Sequence, residues 1–72
     1  MTAHIYSDFD ITNEAQARSA AQYRANREQA TFVLWCEIQP FAGDYRLEWA
    51  YAPVEDAAGL VGDLETETIA PQ

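Results

Sequence analysis

The sequence has no lysine, one cysteine and one histidine among its 72 residues. A single cysteine excludes an internal disulfide, and one cysteine with one histidine is too few for a structural zinc site of four such ligands. The sequence also has no run of about 18 apolar residues and no basic and then apolar amino terminus. We therefore expect neither a transmembrane helix nor a signal peptide, and a cytoplasmic protein.

Catalytic signatures are missing as well. A nucleophilic enzyme needs a serine or cysteine beside a base, and His4, near the start of the sequence, is the only histidine that could serve as that base. The three glycines, Gly43, Gly59 and Gly62, are scattered and form no phosphate-binding loop. A chain of 8.1 kDa leaves little room for a substrate pocket. We expect a protein that is not an enzyme and that needs no cofactor.

Acidic residues dominate the charge. Twelve acids face four arginines, for a net charge of −8, and residues 37–72 hold eight of the acids with Arg46 as their one base. Such a surplus repels nucleic acid phosphate and anionic membranes. The favoured partner is therefore a basic protein surface.

The segment from Thr31 to Ala52 holds both tryptophans and two of the three phenylalanines, with a turn-like PFAGD in its middle. Apolar residues alternate along both arms, as expected for two strands of a β-hairpin. The two apolar rows share a face only if the loop has an even number of residues, either Ala42-Gly43 or Phe41 to Asp44. Both loops give the same register: Ile38 opposite Leu47, Cys36 opposite Trp49 and Leu34 opposite Tyr51.

The other face of the hairpin is mixed. Glu37 falls opposite Glu48, and we expect Arg46, diagonal to Glu37, to relieve their repulsion. At the end far from the turn this face is apolar, with Val33, Trp35, Ala50 and Ala52. Either another segment of the chain or a partner must cover that end.

A helix is predicted before the hairpin. Thr12 or Asn13 caps it, Asn13 and Gln16 have the spacing of a capping box, and no glycine or proline interrupts residues 11–30. One helix face is polar, and the opposite face, which we expect to pack on the sheet, carries Ala17, Ala20, Ala21 and the stem of Arg24. Arg18, Arg24 and Arg27 are expected to pair with Glu14 and Glu28.

A short strand is predicted from Ala3 to Phe9, before this helix. Asp8 and Asp10 then have two interpretations. Two carboxylates two residues apart on a strand share a face and suggest a divalent metal. Acids just before a helix also stabilise its positive end, and this second interpretation is the favoured one because no motif supplies further ligands.

The composition changes after Tyr51. Pro53 is expected to end the strand, and the acidic end segment, residues 53–72, carries five acids and no base. A short, weak helix is predicted from about Pro53 to Val61, because Gly59 and Gly62 are both unfavourable in a helix interior. Leu64 to Ile69 alternates like a strand but equally suits a frayed acidic tail. The whole chain of 72 residues is then a single α+β domain, with one helix packed on a small antiparallel sheet.

The run DITNEAQARSAAQ, with a short strand before it and an aromatic hairpin after it, resembles the strand–helix–hairpin layout of small phage and mobile-element proteins, including some anti-CRISPR inhibitors. The resemblance implies an inhibitor of a CRISPR-Cas complex that acts by occlusion, with carboxylates occupying arginines and lysines that hold nucleic acid.

Acids at the turn end of the hairpin and in the end segment are the expected contacts, with Trp35 as an aromatic anchor. The candidate partner-binding residues are Trp35, Glu37, Asp44, Glu48, Glu55, Asp56, Asp63, Glu65 and Glu67. The competing interpretations are a solubilising role for the acids and burial of Trp35 under the end segment. Two other functions stay open: a homo-oligomeric accessory protein that associates, as a homodimer for example, through the Val33, Trp35 and Ala50 face, and an antitoxin or immunity protein.

Overall fold

The computed structural model describes residue 10 and residues 12–72. In chain order its elements are α1 (Glu14–Glu28), β1 (Phe32–Phe41), β2 (Asp44–Pro53), α2 (Val54–Val61) and β3 (Thr66–Ile69). The three strands form one antiparallel sheet in the order β2-β1-β3. The predicted α+β class is therefore confirmed. The strand predicted from Ala3 to Phe9 lies outside the described residues.

The start of α1 follows the predicted cap closely. The Asn13 side chain accepts a hydrogen bond from the backbone N–H of Gln16 at 3.1 Å. The Gln16 side chain, however, accepts from the backbone N–H of Asp10 at 3.0 Å, three residues before the position that a capping box would use. The predicted ion pair between Glu14 and Arg18 is present along the helix, with 2.7 Å between their nearest atoms.

The buried side of α1 is a row of alanines. Ala17, Ala21 and Ala25 have no exposed surface and pack on the sheet, where they share a core with Phe32, Leu34, Tyr51 and Ile69. The prediction included Ala17 and Ala21, and Ala25 extends the row by one turn. Because alanine has the smallest side chain after glycine, the helix backbone lies close to the sheet, and the large side chains of the strands fill the space between them.

The hairpin has the predicted register. Leu34 pairs with Tyr51 and Ile38 with Leu47, and the turn consists of Ala42 and Gly43. Both turn residues have a positive φ, 52° and 82°, as a two-residue hairpin turn of type I′ requires.

Ala42 lowers the stability of this turn, because its Cβ is strained at positive φ. Asparagine tolerates the same φ better, because its short polar side chain can form local hydrogen bonds. We expect Ala42→Asn to raise the free energy of unfolding by about 1 kcal/mol. Urea denaturation followed by circular dichroism measures this change. Ala58→Asn is the control, because Ala58 is exposed in α2 and has no positive φ. A gain at Ala58 equal to the gain at Ala42 would refute the turn explanation.

The second helix covers the opposite face of the sheet. Ala57 and Val61 of α2 pack on the apolar end of the hairpin formed by Val33, Trp35, Ala50 and Ala52. The end segment is therefore what covers this face. The expectation that Val33, Trp35 and Ala50 form a subunit contact is corrected, because these three side chains are at most 7% exposed within a single chain.

The chain after α2 returns to the sheet as β3. Thr66–Ile69 pairs with Phe32 to Trp35 of β1, and Ile69 is buried. Of the two interpretations of this segment, a strand is right and a frayed tail is wrong. The last residues are also held: the Gln22 side chain donates to the carbonyl of Ala70 at 2.8 Å, and the backbone N–H of Gln72 donates to the Asn26 side chain at 2.7 Å.

The turn end of the hairpin extends beyond both helices. The bulky row from Tyr45 to Tyr51 packs under α1 only in its last part: Tyr51 is buried, Trp49 is partly buried, and Tyr45 and Leu47 are 70% and 55% exposed. The reason is length. A helix of 15 residues spans about 22 Å, whereas a strand of 10 residues spans about 33 Å.

Candidate functional site

Charge is distributed unequally between the two helical layers. The α1 layer is balanced, because Glu14, Glu28 and Glu67 face three arginines, and two of these arginines form ion pairs with these glutamates. Residues 37–65, which comprise most of the hairpin, α2 and the loop that follows, hold seven acids and one arginine. The surplus of negative charge thus lies away from α1.

Four of these acids form what we call the acidic surface: Glu55, Asp56, Asp63 and Glu65. All four are exposed, and within the described residues none takes part in an ion pair. Glu55 and Asp56 lie in the first turn of α2, where no side chain caps the helix and a negative charge stabilises the exposed N–H groups. Asp63 and Glu65 follow the end of α2. These carboxylates are hydrated and available to a partner.

A groove lies between the hairpin and the last turn of α2. Its volume is about 410 Å³. The side chains that line it are Trp35, Glu37, Gln39, Glu48, Trp49, Ala50 and Leu60. The groove joins apolar walls to two carboxylates that the strand register places side by side. Such a surface matches a basic side chain, whose stem is apolar and whose end is charged.

Each groove carboxylate is held by a neighbour. Glu37 accepts hydrogen bonds from the Trp35 indole N–H at 2.6 Å and from the Gln39 side chain at 2.7 Å. Glu48 forms an ion pair with Arg46 at 2.7 Å. The expectation that Arg46 relieves the repulsion between Glu37 and Glu48 is confirmed through its ion pair with Glu48, and neutral donors stabilise Glu37. The groove keeps a net charge of −1 once Arg46 is counted.

Arg46 is held in place from its other side too. Its guanidinium carbon lies 3.9 Å from the centre of the Phe41 ring, within the range of a cation–π contact. Because Arg46 is fixed between Phe41 and Glu48, it is oriented along the hairpin surface. The side chain of Glu48 is 19% exposed, so this ion pair is partly shielded from water.

Trp35 is a core residue. It is 2% exposed, and α2 covers it, so of its two interpretations burial under the end segment is the one that the structure shows. Its contribution to the groove is the indole N–H, which fixes the Glu37 carboxylate. It presents too little surface to anchor a partner directly.

Of the remaining predicted residues, Asp44 lies apart from the acidic surface and the groove, whereas Glu67 lines a pocket together with Glu65 of the acidic surface. Asp44 is at the tip of the hairpin, where its carboxylate accepts from the backbone N–H of Tyr45 at 2.9 Å. Glu67 is on β3 and pairs with Arg18 of α1. These two ion-pairing glutamates, Glu67 and Glu14, hold the pKa of Arg18 above its ordinary value. The structure therefore groups Glu37 with Glu48 and places the acidic surface on α2 and its following loop, but does not unite all nine residues.

Four residues of the groove were not among the predicted binding residues: Gln39, Trp49, Ala50 and Leu60. Leu60 supplies the α2 wall and Gln39 supplies a donor to Glu37. Gln39 had a detectable signal, since it shares the strand face of Glu37 at a spacing of two. No sequence signal placed Leu60 in the groove, because its position depends on which face of the sheet α2 covers.

The pKa values of Cys36 and Asp10 are shifted in opposite directions. Burial raises the pKa of the Cys36 thiol, and the charges of Glu14 and Glu37 add to the effect, so the thiol stays protonated near neutral pH. Asp10 has a lowered pKa because the hydroxyl and the backbone N–H of Thr12 donate to its carboxylate. Asp8 lies outside the described residues. Within residues 10 and 12–72, no three histidine, cysteine or acidic side chains are arranged to hold a metal ion.

The chain matches no protein-family model, no curated protein and no solved structure. Neither α1 nor α2, the two helices of the described chain, has the length and hydrophobicity needed to span a bilayer.

Proposed function

We propose that this chain is a small acidic inhibitor that binds a basic surface of another protein and blocks it. The observation that carries the proposal is the acidic surface, four exposed carboxylates without ion pairs in the described chain. The chain has a net charge of −8. These carboxylates therefore attract a basic partner over a distance comparable to the Debye length, about 8 Å at physiological salt.

Occlusion is the proposed mechanism. The partner's arginines or lysines approach Glu55, Asp56, Asp63 and Glu65, and hydrogen bonds between charged groups form at contact. A basic side chain that enters the groove lays its stem against Leu60 and its charge near Glu37. Surfaces that hold nucleic acid are basic, so a CRISPR-Cas effector subunit is the target class that the anti-CRISPR resemblance adds. No catalytic step is needed.

The test is capture of a partner by variants that lose charge at different places. Glu55→Gln with Asp56→Asn removes two charges from the acidic surface, whereas Glu14→Gln with Glu28→Gln removes two from the α1 layer. Because each exposed charge pair contributes about 0.2–1 kcal/mol, we expect the first double substitution to weaken binding by about twofold to thirtyfold and the second to have little effect. The partner is captured from bacterial lysate, identified by mass spectrometry, purified and titrated by calorimetry against each variant.

Two outcomes would reject the proposal. The first is equal loss of affinity in both variant pairs, which indicates a response to net charge alone. The second is capture that survives about 0.5 M salt unchanged, since exposed charge pairs are screened at that ionic strength. With purified CRISPR-Cas effector complexes, the corresponding measurement is displacement of target nucleic acid at low salt and its recovery as salt rises.

A further inference from the structure

Glu37 is the groove carboxylate that forms no ion pair with any described residue. Arg46 lies diagonal to it in the strand register, but the guanidinium is bound to Glu48 at 2.7 Å and lies 3.9 Å from the centre of the Phe41 ring. Arg46 is therefore already engaged by other groups. The groove keeps one uncompensated negative charge, at Glu37, and this charge matches one monovalent cation.

The Glu37 carboxylate is also fixed in one orientation, because a neutral donor binds each of its oxygens. The Trp35 indole N–H donates to Oε2 at 2.6 Å, and the Gln39 amide donates to Oε1 at 2.7 Å. Trp35 is buried under α2, which holds its ring in place. An ionised carboxylate has about four acceptor positions on its two oxygens, and these two donors occupy one on each. Both oxygens can therefore still accept a hydrogen bond from a ligand.

We propose that the groove binds an arginine side chain and selects it over lysine. This inference deepens the proposed function and rests on it for the source of the arginine, which is the basic surface of the partner protein. A guanidinium is planar and presents parallel N–H donors that bind both oxygens of a carboxylate at once. An ammonium is a point charge, so it gains little from a carboxylate whose plane is fixed.

The walls of the groove favour the same side chain. Leu60 is 41% exposed on α2, and an arginine stem that lies against it covers apolar surface that water otherwise contacts. A guanidinium is more weakly hydrated than an ammonium, so it loses less hydration free energy when it enters a groove with apolar walls. The groove volume of about 410 Å³ is sufficient for one such side chain.

Titration of the full chain with N-acetyl-arginine N-methylamide, followed by NMR at constant ionic strength, tests the proposal. The matched probe, N-acetyl-lysine N-methylamide, carries an ammonium instead. The signal of the Trp35 indole N–H reports on Glu37, because the two groups are hydrogen-bonded. The spectrum of Trp49→Phe identifies this signal, since Trp35 is then the only tryptophan. We expect a saturable shift, with about two- to tenfold tighter binding of the arginine probe because it forms an additional hydrogen bond.

Three variants locate the binding. Glu37→Gln should weaken binding of the arginine probe by about tenfold or more, because it removes the charge and keeps the size of the side chain. Glu28→Gln is the matched control: it makes the same change on α1, across the sheet from α2, and should leave the affinity unchanged. Leu60→Ala should weaken binding by about threefold, because the arginine stem loses apolar contact. Leu60 is exposed, so this variant tests the groove even if Glu37→Gln disturbs the fold.

Equal affinity for the arginine and lysine probes would overturn the proposal, and so would the absence of a saturable shift in the unaltered chain. Equal weakening by Glu37→Gln and Glu28→Gln would overturn it too, because it would show a response to net charge alone. The titration involves no partner protein, so these failures leave binding at the acidic surface intact. Conversely, a partner whose capture is unaffected by Glu55→Gln with Asp56→Asn rejects the proposed function, while the probe titration still decides whether the groove binds arginine.

Discussion

Trp35→Ala is expected to unfold most of the protein at room temperature. Trp35 is 2% exposed between the sheet and α2, and removing so large a buried side chain costs about 3–5 kcal/mol. A single core in a chain of this length contributes about 3–5 kcal/mol in total. The loss therefore equals the stability available. Far-UV circular dichroism and the dispersion of amide signals in an NMR spectrum measure the folded fraction.

Trp49→Ala is the control for this prediction, because it makes the same chemical change at a partly buried tryptophan on the other face of the sheet. It should lower stability less and leave the chain folded. Trp35→Phe separates packing from hydrogen bonding: it keeps a ring in the core and removes the donor to Glu37, so a folded but weakened protein is expected. A Trp35→Ala protein that is as stable as the Trp49→Ala protein would contradict the packing described for α2.

Ala21→Leu is expected to lower the free energy of unfolding by about 1–3 kcal/mol. Ala21 has no exposed surface and lies where α1 approaches the sheet, so three additional carbon atoms have no space without moving the helix or the strands. Urea denaturation gives the free energy, and an unchanged slope of the transition confirms that the native state is still compact.

Ala15→Leu serves as the matched substitution, since Ala15 is exposed on the same helix and leucine is nearly as good a helix former as alanine. Its effect should be within about 0.5 kcal/mol of zero. If Ala15→Leu and Ala21→Leu destabilise the protein equally, the close approach of α1 to the sheet is wrong.

The hairpin shows how far alternation along a strand predicts a fold. The apolar rows share a face in only one parity of register, so the pairing of Cys36 with Trp49 followed from the sequence, whereas the choice between a two-residue and a four-residue loop did not. Alternation does not state what covers a row. Ile38 and Leu47 belong to the same apolar row as Leu34 and Tyr51, yet they are exposed because α1 is shorter than the strands.

The end segment was harder to predict for a different physical reason. Gly59 weakens a helix, so local propensity left α2 poorly specified, and packing of Ala57 on Trp35 and Ala50 is what stabilises it. The packing of α2 on the sheet also forms the groove, because Leu60 of α2 supplies one of its walls. Composition located the surplus of acid correctly, but the division between Glu37, which is hydrogen-bonded, and Glu55, which is exposed without an ion pair, depends on side-chain contacts that no sequence pattern specifies.

The attachment of the last residues to α1 has a practical consequence. Because β3 runs away from the hairpin turn and Gln72 donates to Asn26 near the end of α1, a fluorophore or affinity tag joined after Gln72 leaves the protein at the extremity opposite the turn. With a longest dimension of 40 Å, the molecule keeps such a label far from the hairpin tip, so immobilisation through this end leaves Tyr45 and Leu47 accessible to solution.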